Sequence, residues 1–196
     1  MTPDDAPSFA ANEAAKSAGY PRNEKQDAIW RNAAAMARAD FGTGPLASLR
    51  RHSPSDVVNE PAFHRLIAGL EDKMLAGDGT PLRWATVIQA IAIGTKPGEG
   101  VSQERAGKAL AEAGYSESRF ARLLAAHGQT FRDQIVLLAR YMNGKQARFS
   151  WGDLGELILV EGVNAAWADE RAEKLRFQIA RDYYRELTAK QSRAAA

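Results

Sequence analysis

The sequence predicts an all-α protein, because apolar residues recur at helical spacing and no useful stretch alternates apolar and polar residues as a strand does. Glycines and prolines divide the apolar segments into about eight or nine helices. With 196 residues and 45% hydrophobic content, the chain can bury a sizeable core in one domain or in two small ones. We therefore expect a compact helical bundle that can divide into two helical halves.

The composition excludes several classes of protein. No apolar run reaches the roughly 18 residues of a membrane span, and the N-terminus lacks the pattern of a secretion signal, so we expect a cytoplasmic protein. The absence of cysteine excludes disulfides and thiolate metal sites. His52, His64 and His127 are too scattered to suggest a ligand cluster, and no cofactor or metal is predicted.

The first elements are a tail and one helix. Residues 1–21 are rich in Ala, Pro, Ser and Asp and have no apolar period, which predicts a flexible N-terminal tail. Trp30, Ala33 and Phe41 then indicate a helix that ends at Gly42.

A corner that carries two arginines follows this helix. Leu46 and Leu49 lie three residues apart on a short helix, which places Arg50 and Arg51 at its end, where the helix dipole favours cations. Ser53 is an N-cap candidate, so a new helical turn begins directly after the arginines. The sequence thus fixes two guanidinium groups between packed helices.

The next helix begins at Pro61 and has one buried face. His64 is expected to be a partly buried packing residue on it, and His52 a surface residue at the preceding helix end. The predicted buried residues follow helical spacing: Phe63, Leu66, Ile67 and Leu70.

A central helix and a linker divide the chain. The segment from Leu82 to Ile93 is apolar on nearly all sides, as expected of the central member of a bundle, with Trp84 in the core. Residues 95–100, TKPGEG, form the linker candidate, which separates an N-terminal half (22–94) from a C-terminal half (101–190). The linker lacks the Gly-Lys-Ser/Thr of a phosphate-binding loop, so a plain loop is favoured.

Basic residues accumulate on the outer faces of the C-terminal half. Ser102 is predicted to cap a helix that carries Lys108, and Ser116 the next helix, on which Arg119 and Arg122 share an outer face.

Thr130 is the predicted start of the following helix, with Arg140 away from its buried face. The predicted buried residues of that helix are Phe131, Ile135, Leu138 and Met142.

Charge is unevenly distributed near the C-terminus. Residues 151–170 contain five acidic and no basic residues, whereas 171–196 contain seven basic and three acidic ones. A helix starting near Ser150 is expected to turn its acidic residues, among them Glu156 and Glu161, outward to serve subunit contacts. The last helix, Trp167 to Leu187, should present a basic stripe.

The stripe consists of Lys174, Gln178, Arg181 and Arg185. A solvated helix face explains such a stripe about as well as an anionic partner does.

Nothing in the sequence predicts an enzyme. Neighbouring carboxylates such as Asp169 and Glu170 point to different helix faces, and no nucleophile, base or metal spacing stands out.

Three motifs in order nevertheless resemble a known family. They are ASLRR (47–51), SPSDV (53–57) and EPAFHRL (60–66), and GKALAEAG (107–114) resembles the family's mid-chain helix. This pattern is similar to the CasB family, the small subunit of the type I-E CRISPR surveillance complex Cascade, and covers about residues 27 to 187. The sequence departs from the family in its N-terminal tail, at His64, where an aromatic residue is usual, and in a longer segment between Leu157 and Arg181.

The resemblance implies an all-helical, non-catalytic subunit present in two copies in the complex. Such a subunit lies along the guide RNA and its DNA target and helps to hold the displaced strand, touching backbone phosphates without reading bases. The positions that match the family's basic residues are Arg50, Arg51, Lys108, Arg119, Arg140 and, less closely, Lys174.

Two hypotheses follow from the sequence. The first is a nucleic-acid-contacting subunit of the CRISPR complex, with the other subunits, the guide RNA and the target DNA as partners. The second is a helical protein-interaction module whose basic faces are only solvated.

Overall fold

The computed structural model describes residues 23–194, and over these residues it confirms the all-α prediction. Eleven α-helices are present in this range, together with a 3-10 turn at Ala39–Phe41. The helices are α1 (Glu24–Ala37), α2 (Thr43–Arg51), α3 (Pro54–Val57), α4 (Pro61–Ile67), α5 (Asp72–Leu75), α6 (Thr80–Gly94), α7 (Ala106–Glu112), α8 (Glu117–Ala125), α9 (Gly128–Gly144), α10 (Gly152–Val160) and α11 (Ala166–Ala194).

The number of helices exceeds the eight or nine predicted because α3 and α5 are single helical turns. Each has four residues, too few to produce an apolar period in the sequence, although the Ser53 cap signal did predict the turn that forms α3. The predicted flexible tail, residues 1–21, lies outside the described residues.

Helix α6 is the centre of the bundle, as predicted. It packs against α1, α2, α3, α5, α9 and α10. Trp84 is buried in the core, and its indole N–H donates a hydrogen bond to the carbonyl of Met74 at 2.9 Å, which satisfies the one polar atom of the side chain.

Helices from either side of the predicted linker share one core. Helix α6 packs against α9, and α1 packs against α10. Both contacts connect residues before 95 with residues after 100. The linker itself is tied to α1, since the Gly98 N–H donates to the carbonyl of Ala37 at 2.8 Å. The division into two helical halves stays a prediction.

A glycine allows two helices to come into close backbone contact. At Gly107 on α7, an added Cβ would lie 2.2 Å from the carbonyl oxygen of Ile179 and 2.9 Å from the amide nitrogen of Tyr183, both on α11. Only a residue without a side chain lets the two backbones approach this closely. Gly107 therefore fixes the position of α11 over α7.

Two helix starts differ from the prediction. Helices α7 and α9 begin at Ala106 and Gly128 instead of directly after Ser102 and Thr130. The Ser102 hydroxyl instead accepts the N–H of Glu104 at 3.2 Å, so this serine forms a turn in the loop before α7.

The buried face of α4 is as predicted, but the assignment of His64 is wrong. Phe63 and Leu66 are buried, and Ile67 and Leu70 are partly buried against the core. His64 is exposed, with its ring edge-on to that of Phe63 at a centroid distance of 5.6 Å. The residue after a core position on a helix is rotated away from the core, which accounts for its exposure.

The prediction that Glu156 and Glu161 face outward is wrong. Glu156 on α10 is 2% exposed and Glu161, directly after α10, is 8% exposed. Two arginines of α11, each 15 residues further along the chain, pair with them: Arg171 Nη2 lies 2.6 Å from Glu156 and Arg176 Nη2 lies 2.6 Å from Glu161.

The Glu156 pair has favourable hydrogen-bond geometry. Arg171 donates from Nε and Nη2 to the two carboxylate oxygens at 2.7 and 2.6 Å, and Asn23 Nδ2 donates to Glu156 at 2.7 Å. The acidic segment of the sequence thus pairs with the basic segment that follows it. The expected role of these two carboxylates in subunit contacts therefore loses its basis.

Replacing Glu156 by alanine is predicted to destabilise the fold by about 3 kcal/mol or more, because it leaves the Arg171 guanidinium partly buried without its partner. The free energy of unfolding from chemical denaturation measures this. Glu173→Ala is the matched control, since Glu173 is an exposed residue of α11, the helix that carries Arg171. Equal unfolding free energies for the two variants would contradict the structural role of the pair.

Candidate nucleic-acid interface

The seven basic residues predicted to bind nucleic acid lie in different environments. One supports the fold, one is neutralised by carboxylates, and five are exposed. Arg50 supports the fold and Lys108 is neutralised. The exposed residues are Arg51, Arg119, Arg122, Arg140 and Lys174.

Arg50 points from the end of α2 to the end of α6. Its Nε donates to the carbonyl of Ala92 at 2.7 Å, and its Nη2 donates to the carbonyl of Thr95. The last carbonyls of a helix have no partner within it and carry partial negative charge, so a guanidinium group is a favourable cap. Arg50 therefore joins α2 to the central helix.

Arg51 is exposed, although it follows Arg50 directly. Its only hydrogen bond within residues 23–194 runs from Nε to the carbonyl of Ala47 in its own helix at 3.1 Å. The rest of the guanidinium group faces solvent and is available to an anion.

These two neighbours provide a matched test. Arg50→Ala is expected to lower the unfolding free energy by roughly 1–3 kcal/mol, because the carbonyls of α6 lose charged donors. Arg51→Ala should leave it nearly unchanged, as is usual for exposed side chains. Thermal and chemical denaturation of both variants distinguish the roles, and similar stabilities would contradict the assignment of Arg50.

Lys108 lies between two carboxylates of the same region. Its Nζ is 2.8 Å from Glu104 Oε2 and 3.6 Å from Glu112 Oε1. The hydrogen bond to Glu104, with the attraction of both charges, raises the pKa of Lys108. Its positive charge is therefore largely compensated within the protein.

Two cations lie beside the ring of Tyr141, where the start of α8 approaches the end of α9. The Arg119 guanidinium carbon lies 5.7 Å from the centre of the Tyr141 ring, and Lys145 Nζ lies 5.8 Å from the same centre. Tyr141 and Tyr115 are in edge contact at 5.1 Å. We call Arg119, Arg122, Lys145, Tyr115 and Tyr141 the tyrosine-cation cluster.

Arg122 belongs to this cluster because it lies three residues after Arg119 on the same face of α8. Burial raises the pKa of the Tyr115 phenol, and the nearby charges of Arg119 and Arg122 act in the opposite direction. Tyr141 is anchored by its hydroxyl, which donates to the carbonyl of Ala113 at 3.0 Å. Within residues 23–194, none of the three cations of the cluster forms an ion pair with a carboxylate.

The sequence did not identify Tyr141 and Lys145 as site residues. They lie four residues apart at the end of α9, a spacing that places them on one helix face. That spacing was visible in the sequence, but the approach of α8 to α9 was not. Arg140 is also exposed at this end of α9, with no ion pair to any described residue.

A second group of cations lies around the end of α10 and supports the fold. Arg83 donates to the carbonyls of Glu161 and Gly162 at 3.2 and 3.1 Å. Burial would raise the pKa of Glu161, but hydrogen bonds from Arg176 and His127 outweigh it and hold that pKa below its ordinary value. Arg83, Arg176 and His127 therefore stabilise the chain directly after α10.

The described residues give no indication of two other kinds of site. None of their helices is long and apolar enough to cross a membrane. No group of three or more His, Asp or Glu side chains among residues 23–194 is placed to hold a metal ion.

The structure therefore defines an all-α protein in which the predicted site residues that remain exposed lie on α2, α8, α9 and α11. The family model of the CRISPR-associated protein Cse2 matches residues 45–184. The chain belongs to this family, which confirms the resemblance to the CasB small subunit of type I-E CRISPR systems.

A solved structure has the same fold. It is a chain in the crystal structure of E. coli Cascade bound to a PAM-containing dsDNA target, with 19% sequence identity and a TM-score of 0.56. The match covers 83% of this chain and 96% of that chain. The search of curated proteins gave no match.

Proposed function

We propose that the protein is a non-catalytic small subunit of a type I-E CRISPR surveillance complex that contacts the nucleic-acid backbone. In this role it stabilises the guide-target duplex and the displaced DNA strand during antiviral defence. Membership of the Cse2 family supports the assembly, and the fold shared with a chain of DNA-bound Cascade agrees with it.

The tyrosine-cation cluster is the observation that carries this proposal. Arg119, Arg122 and Lys145 are exposed and have no carboxylate partner among the described residues, so their charges repel one another in the free protein. A backbone with closely spaced phosphates would relieve this repulsion and release the counterions of the strand. A neutral protein surface would do neither.

The proposed contacts go to phosphates because base pairing with the guide already supplies sequence specificity in such complexes. Arg51, Arg140 and Lys174 join the cluster as exposed cations available to the backbone. Arg50 and Lys108 are not part of the proposed interface. Arg50 donates to the carbonyls at the end of α6, and Lys108 pairs with Glu104 and Glu112.

The proposed partners are the other subunits of the complex, the guide RNA, the target DNA and a second copy of this chain. Since a guide-target duplex is about as stable as the DNA duplex it replaces, modest contacts to the backbone can decide whether the open state persists. Contacts of this size are what a few exposed arginines supply.

Replacing Arg51, Arg119, Arg122 and Arg140 by alanine should weaken retention of the opened DNA by the assembled complex. Each lost phosphate contact should reduce the slope of log affinity against log salt by about 0.7 to 0.9, so four contacts reduce it by roughly three units. Filter binding or anisotropy of the purified complex at several salt concentrations gives both numbers. Target choice should not change.

The matched control removes four exposed cations that already pair with carboxylates. These are Arg38, Lys73, Arg148 and Arg193. This variant should keep the affinity and salt slope of the wild type. If the first variant assembles normally and behaves like this control, the basic faces are only solvated and the protein is an interaction module.

The isolated protein is predicted to cleave neither DNA nor RNA, with or without Mg²⁺ or Mn²⁺. The three buried acids Glu156, Glu161 and Asp182 all pair with arginines, so they are poorly suited to activate water or hold a metal. Incubation with labelled strands and duplexes tests this. A metal-dependent nuclease activity that copurifies with the chain and disappears with one carboxylate substitution would overturn the prediction.

A further inference from the structure

Helix α11 carries three exposed aromatic rings: Trp167, which lies beneath the Lys25 ammonium group, and two further rings that share one outer face. Phe177 is 68% exposed and Tyr184 is 44% exposed. The two residues are seven apart, so they lie almost in line along the helix and about 10 Å apart along its axis. That distance is about three times the roughly 3.4 Å rise between successive bases of a strand.

The charged residues around these rings are mainly cationic, with Glu173, one turn before Phe177, as an exposed carboxylate beside them. Between positions 174 and 185 the exposed charged side chains are Lys174, Arg181 and Arg185. Asp182 is the one carboxylate in this span, and it is buried with its Oδ2 2.9 Å from Arg105 Nε. Arg181 Nε is 3.9 Å from Asp182 Oδ1, too far for a hydrogen bond, so the guanidinium group of Arg181 faces mainly solvent.

Tyr184 is held in place by other rings. It makes edge contacts with Tyr183 at 5.2 Å and with Phe120 at 6.1 Å. Tyr183 in turn donates its hydroxyl to the carbonyl of Tyr115 at 2.5 Å, and Tyr115 belongs to the tyrosine-cation cluster. The exposed face of α11 is thus connected to that cluster through packed aromatic residues.

We propose that Phe177 and Tyr184 form a stacking platform for the unpaired bases of a single strand, with the neighbouring cations on its phosphates. We call these two rings and Lys174, Arg181 and Arg185 the α11 platform. The inference rests on the proposed function and extends it from backbone contact to base stacking. Exposed rings interleaved with cations are the combination that binds single strands without sequence preference.

Charge and shape favour this occupant over two others. A duplex keeps the faces of its bases stacked inside the helix, so it offers phosphates to the cations but nothing to the two rings. An apolar protein surface would cover the rings but would bury Lys174, Arg181 and Arg185 without partners, which is costly. A single strand satisfies both the rings and the cations.

The test uses the full chain with two fluorescent probes of equal length, about 20 nucleotides, which exceeds the site size of typical single-strand binders. One is oligothymidine and the other is an abasic strand with the same phosphates and no bases. Fluorescence anisotropy at low salt gives the affinities of the wild type and the variants. The variants are Phe177→Ala, Tyr184→Ala, Phe177→Leu and Tyr184→Phe, with Leu137→Ala as a control for an exposed apolar residue elsewhere.

Removal of each ring should weaken binding of oligothymidine by about 5- to 100-fold, the range measured for base-aromatic stacking. The salt slope should stay unchanged, because no phosphate contact is lost. Binding of the abasic strand should be equal in all variants. Tyr184→Phe, which keeps the ring, and Leu137→Ala should resemble the wild type, whereas Phe177→Leu should resemble Phe177→Ala.

Three results would overturn the α11 platform. The first is oligothymidine affinity that does not depend on the rings, and the second is an equal loss on the abasic strand. The third is ring variants that bind strands normally but fail to self-associate or to enter the complex, which would assign the rings to a protein interface. None of these three results contradicts the proposed backbone contacts. The proposed function itself would be overturned if neither the isolated chain nor the assembled complex bound a strand through the exposed arginines.

Discussion

The position of α11 depends on two buried ion pairs that join it to α10 and to the residue directly after α10. Glu156 and Glu161 hold Arg171 and Arg176, which fixes the long last helix against the end of the helix before it. A buried charge is tolerated only when it is paired and hydrogen-bonded, so these contacts allow one alignment of α11 and penalise others. The close approach at Gly107 fixes the same helix further along its length, at Ile179 and Tyr183.

The same pairing determines which charges remain at the surface. The formal net charge is only +2. Several carboxylates, among them Glu156, Glu161 and Asp182, are nevertheless buried in ion pairs with arginines and add no negative charge to the surface. The cations of the tyrosine-cation cluster, by contrast, have no carboxylate partner in the part of the chain that the structure describes. A nearly neutral protein can thus present locally positive faces, which is the property that matters to a charged partner.

The sequence predicted the parts of the fold that depend on local periodicity. The central helix with Trp84 and the buried face of α9 were both visible, since apolar spacing alone specifies them. It could not predict that Glu156 is buried, because the partner Arg171 is brought to it by the turn between two helices. Nor could it separate Arg50 from Arg51, since only the position of α6 decides which guanidinium group meets the helix end.

Two classes of arginine therefore carry different constraints in this fold. Substituting a structural arginine such as Arg50 or Arg171 leaves a partly buried polar group without its partner, and the cost falls on stability. Substituting an exposed one such as Arg119 costs the free protein almost nothing and changes only its affinity for an anion. A weakened complex after arginine substitution therefore indicates a lost nucleic-acid contact only when the isolated chain keeps its stability. The structure provides the assignment that separates these two causes.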